Sequence, residues 1–238
     1  MMRDQALEIL RAQDSCAAIE YLGRQPEPLE AAKAYADLVN TLYWKEKDLY
    51  CVIVMARAGI QHSLLAAAAT DIEDAQSAYQ LRSVAKGLAY DLGSFTWPGW
   101  DEPGIPIAPA HLAFGMEAAN VNLRLAQELK KGDLPMSRAH WLLGAHHLAA
   151  DDWQAARHHF TEAIDYAQAA GAEEEKLLCA GYEALATILA SPHDSAGPDV
   201  LASILAKLTG TEQGKGFAAQ LETARRVFTR ASGESAME

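Results

Sequence analysis

Residues 144–160 read GAHHLAADDWQAARHHF and hold four of the chain's eight histidines and two adjacent aspartates. Imidazoles and carboxylates are the raw material of a zinc site or an acid–base centre, so their spacing has to decide between chemistry and packing. Two histidines that share a metal from one helix stand four residues apart on one face, as in H-E-x-x-H. No such pair occurs here. His158 and His159 are neighbours, so on a helix they diverge by about 100° and cannot both address His147. Asp151 and Asp152 stand just before a new helical run, and Asp151-x-x-Gln154 has the spacing of a helix cap. The stretch predicts packing rings and capping carboxylates, with no metal, no catalytic residue and no cofactor.

The elements that carry these residues are helical from end to end. Half of the 238 residues are hydrophobic, alanine dominates, and Val, Ile and Thr are sparse. That composition favours helix, because alanine loses no rotamer freedom there and β-branched residues do. Periodicity and punctuation place helices near 3–22, 28–45, 48–69, 71–92, 109–131, 135–150, 152–170, 173–190, 198–208 and 213–230. Thr70-x-x-Glu73 reads as a capping box, Lys130-Lys131-Gly132 and Gly171 as helix ends, and Pro135 as a first-turn residue. The expectation is one all-α domain over 1–230 with short, antiparallel connections. A Trp/Pro-rich insert at 93–109 and a shorter break at 191–198 interrupt it, and a flexible tail follows at 231–238.

Charge and cysteine usage narrow the partners. The net charge is −12 and no basic run exceeds two residues, which disfavours nucleic acid and anionic membranes. Cys16, Cys51 and Cys179 are far apart and set among apolar residues, as buried thiols of a reducing cytoplasm would be. The start MMRDQALEIL carries Asp4 and Glu8 where a signal peptide needs apolar residues. Residues 49–69 are the most apolar stretch, but Arg57, Gln61 and His62 interrupt it, so it reads as a central buried helix.

One pattern reaches beyond composition. His140-x-x-Leu143-Gly144-x-x-His147, followed by Ala156-x-x-x-Phe160-x-x-Ala163, resembles the tetratricopeptide repeat, W-x2-L-G-x2-Y then A-x3-F. Looser echoes start at Tyr35-x-x-Leu38-Val39-x-x-Leu42, Gly87-x-x-Tyr90 and Leu177-x-x-Ala180-Gly181-x-x-Ala184, so the resemblance covers about 32–208. It implies a TPR-like αα-superhelix of antiparallel hairpins, in which Gly144 and Ala156 let two helices approach and Phe160 fills the space between. It also implies a groove that takes a protein or peptide on the first helix of each repeat. The residues at that face are Lys33, Ala36, Asn40 and Tyr43, then Arg138, Trp141, Ala145 and Leu148, then Glu175, Leu178, Tyr182 and Leu185. Lys33, Asn40, Tyr43, Arg138, Trp141 and Tyr182 would suit an acidic or C-terminal segment. The alternative places Trp141 in the core and leaves Arg138 as a solvated first-turn residue.

Trp97 and Trp100 in the 93–109 insert are the second candidate, as a ligand lid, a contact patch, or a plug at the end of the helical stack. Enzyme readings find less. His193-Asp194 is the dipeptide that helical HD-domain phosphohydrolases use for metal, but here it lies between Pro192 and Pro198, in a loop. No nucleophile elbow, phosphate loop, dinucleotide fingerprint or paired zinc motif is present. The reading is a non-enzymatic scaffold or adaptor, with a small-ligand sensor or a metal-dependent helical hydrolase as the alternatives.

Overall fold

A computed structural model describes residues 2–70, 74–191, 193 and 196–234. Among them are eleven α-helices and no strand. They are α1 (Met2–Ala12), α2 (Ser15–Gly23), α3 (Pro28–Thr41), α4 (Leu49–Ala69), α5 (Ala75–Phe95), α6 (Pro109–Glu128), α7 (Asp133–Ala149), α8 (Trp153–Ala169), α9 (Glu173–Ala190), α10 (Ala196–Leu208) and α11 (Glu212–Glu234). A π-helical turn, Leu42–Glu46, extends α3, and a single 3-10 turn, Pro98–Trp100, interrupts the insert.

Aspartates set many of the helix starts. Asp14, Asp48, Asp74 and Asp152 each accept an amide three residues on, from Ala17, Cys51, Ser77 and Ala155, at 2.8–3.1 Å. Such a cap satisfies one of the amides a helix start leaves open and is worth about 1 kcal/mol. Three expectations are corrected by these caps. The run 3–22 is two helices, because Asp14 starts a second one. Asp74 caps α5 in place of Thr70, whose hydroxyl donates to the Ala66 carbonyl instead; Glu73 lies outside the described residues. Asp152 caps α8, while Asp151 takes a left-handed φ of 57° in the turn before it. The tail is helical as far as Glu234, and residues 235–238 lie outside the described ones.

The helices form two compact units, residues 1–96 with 117–129, and residues 97–116 with 130–238. In the first, α3, α4 and α5 converge at Gly59, where an added Cβ would stand 2.8 Å from Tyr35 and from Leu88. Ala32, Ala67 and Leu81 form one buried cluster; Ala85, Leu125 and Leu129 form another. α4 departs from the expectation of a central buried helix. It is long and apolar enough to cross a membrane by length and composition, yet only 39% of its most apolar window is buried.

In the second unit α7, α8 and α9 run back and forth through short turns, with α10 and α11 against α9. Ala156, Phe160 and Ala163 are fully buried, and an added Cβ on Gly144 would lie 2.6 Å from the Phe160 ring. Glycine here lets the Phe160 ring fill the seam between α7 and α8. Cys179 is buried, Cys51 is half-buried, and Cys16 is exposed, contrary to expectation, because it sits on the outer side of α2.

Candidate interaction surfaces

In the first unit the α3 face begins at Lys33, which is exposed and paired with Glu30 at 2.7 Å. Asn40 donates from Nδ2 to the Ala36 carbonyl at 3.1 Å and to Asp91 Oδ2 on α5 at 3.2 Å. Burial pushes the Asp91 carboxyl above its usual range, and the Asn40 donor and Lys86 partly offset that. Tyr43, expected on the binding face, is buried instead, stacked on Phe95 with ring centres 3.8 Å apart and planes 7° from parallel. The exposed ring at this end is Trp44, 56% open to solvent. Its indole stands edge-on to Tyr43 and to Phe95, and the Lys47 ammonium lies 5.5 Å from its centre. Lys45 is exposed beside it.

Sequence spacing missed Trp44 for a local reason. The outward side of α3 runs through Lys33, Asp37 and the half-buried Asn40, and Trp44 follows in the turn beyond it; α-helical extrapolation from Lys33 through Asn40 reached Tyr43. The wider π-helical turn at 42–46 closes on the left-handed Lys47, φ 56°, which ends the helix and turns Trp44 outward.

In the second unit the expected basic, aromatic strip is differently built. Arg138 is half-exposed, but its guanidinium is held by both carboxylate oxygens of the nearly buried Glu175 on α9, Nε at 3.2 Å. A bidentate pair of this kind neutralises the charge the groove was to offer. Trp141 and Tyr182 are core side chains, with ring centres 5.6 Å apart, and cannot touch a partner as they stand. Trp97 is also core, and its Nε1 donates to the Ala145 carbonyl at 2.8 Å. Gly99 leaves the space that the Trp97 indole occupies. Trp100, half-buried, packs edge-on against Trp97 and tilted on Trp141. The insert is therefore anchored in its own unit by its two tryptophans.

The histidines form a column along the seam of α7 and α8. Tyr166 stacks on His140, His140 meets His159 with Nδ1 atoms 3.2 Å apart, and His159 stacks on His147 at 5.4 Å. His147 Nδ1 lies 3.4 Å from Asp152 Oδ2, and His158 is exposed beside His159. Burial lowers His140, and burial with the neighbouring imidazoles holds His159 down at about 4. Among the described residues no group of three or more His, Cys, Asp or Glu is placed to hold a metal. His193 is described and exposed; Asp194 lies outside the described residues.

Fold and surfaces together define an all-α protein of helix hairpins. Compared with protein-family models and with curated proteins, the chain matches none.

Proposed function

We propose that the chain is a non-enzymatic, TPR-like helical scaffold that docks a protein segment at the end of α3. Two features support the repeat-like reading. First helices of successive hairpins touch, α3 with α5 through Asn40 and Asp91, and α7 with α9 through Arg138 and Glu175. The Gly144–Phe160 seam has the small-against-aromatic packing that the repeat pattern implies.

The observation that carries the function is Trp44. An exposed indole backed by two aromatic rings has few conformations to lose on binding, and tryptophan anchors dominate interface energies. Lys45 and Lys47 beside it are cations on a chain of net charge −12. The partner is therefore an acidic segment with an apolar or aromatic anchor.

The test is quantitative capture from the native host, wild type against Trp44→Ala, followed by titration of the protein enriched most. Loss of tenfold or more in affinity on Trp44→Ala, with weakening as salt rises, is the expected result. Equal capture by both forms overturns the proposal.

A further inference from the structure

Helix α4 is apolar on nearly every side, and such a helix is ordinarily enclosed. Here Tyr50 is 70% and Leu65 62% exposed, and Val54, Arg57, Gln61 and Ala68 fall in line with them, exposed or half-buried. At 100° per residue the six positions share a sector of about 80°, one stripe along the whole helix. The stripe holds no carboxylate. Its single charge, Arg57, comes with its own counter-ion, Glu117, at 3.9 Å. On a chain of net charge −12, this is a surface where a second copy meets little repulsion.

The order of residues along the stripe selects the occupant. Take the helix antiparallel to itself about Gly59, so that equidistant positions meet. Tyr50 then faces Ala68, Val54 faces the turn of Leu65, and Arg57 faces Gln61. Large meets small, and the guanidinium meets an amide carbonyl. A two-fold interface demands self-complementarity of this kind. A lipid surface fits less well, because Arg57 and Gln61 occupy the middle of the stripe, where lipid contact requires the most apolar residues.

We propose that the α4 stripe is the contact between two copies of this chain, packed antiparallel about Gly59. This stands apart from docking at Trp44. A stripe about 30 Å long and about 10 Å wide covers roughly 300 Å² on each copy, below the roughly 800 Å² of a standard interface, so the dimer is weak and reversible.

Sedimentation equilibrium of the full chain between about 5 and 500 μM reads it directly. Wild type is expected to dimerise across that range, and more strongly as salt screens the net charge. Leu65→Glu is expected to weaken the dimer at least tenfold. Gln61→Lys, set against the partner's Arg57, weakens it too, while Gln61→Glu strengthens it; these exposed positions leave the fold intact. Trp44→Ala changes nothing here, which separates this contact from the docking site. A wholly monomeric chain at the highest concentration overturns the proposal. So does a dimer indifferent to both Leu65→Glu and Gln61→Lys, or a monomer that binds phosphatidylcholine vesicles through Leu65.

Discussion

His159 is packed between His140 and His147, and every influence acting on it opposes a proton. Its neutral form is the folded form. The ordinary value of 6.5 falls to about 4 in the fold, so the unfolded chain binds the extra proton first. Stability from this group is complete above about pH 6.5 and is lost as pH falls from there towards 4, by about 1–3 kcal/mol. His140 acts in the same direction, tempered by Glu162. Urea unfolding at pH 7.5 and 4.5 should show the loss, and His159→Gln should flatten it; parallel losses in both proteins would place its origin elsewhere. Two tryptophans offer a matched contrast. Trp97 Nε1 is bonded to the Ala145 carbonyl, while the buried Trp141 Nε1 has no hydrogen-bond partner among the described residues. Trp97→Phe removes a buried hydrogen bond and Trp141→Phe removes none, so the first should be more destabilising by about 1 kcal/mol in urea unfolding, for the same change in volume. The packing role of the histidines could be read from their spacing. Burial of Trp141 and Tyr182 could not, since one helical face looks alike whether it meets a groove or another helix.

Helix positions were legible because alanine-rich runs are punctuated by aspartate, glycine and proline. Errors gathered at the starts, where two residues within a turn of each other can both cap: Asp151 and Asp152, or Thr70 and Asp74. The π-helical turn at 42–46 left no readable signal, and it displaced the exposed ring by one position. The hairpin of α7 and α8 gives the sharpest test of an element. Gly144→Leu drives a side chain into Phe160 and should cost about 1–3 kcal/mol by denaturant unfolding. Phe160→Leu in the same chain should recover part of that, since the two sites share one space. Wild-type stability for Gly144→Leu would mean that the seam is not packed as described.

For the whole molecule, all-α character followed directly from composition, while the division into two units did not. The reason is α6, an unbroken helical run whose residues 109–116 belong to one unit and 117–128 to the other. Periodicity sees one helix and no boundary. Leu125 and Leu129 pack with Ala85, Leu64 and Val121, so the first unit is incomplete at residue 96. A fragment 1–96 should be less stable than 1–131 by about 2–5 kcal/mol, the value of burying two leucines, measured by urea unfolding. Equal stability would show that the 117–129 segment is dispensable.

The same interleaving of segments imposes an order on synthesis. By the time a ribosome has made Phe95, five helices of the first unit exist, but Ala85 still lacks Leu125 and Leu129. The chain must then extend through residues 97–116, which belong to the second unit, before those leucines are made. The first unit therefore waits with part of its core open while the Trp97 segment emerges ahead of Ala145, Trp141 and Tyr182, which will enclose it. For that interval the nascent chain carries two unfinished apolar surfaces at once, so a chaperone that binds such surfaces would find its substrate when residues 97–129 have just emerged.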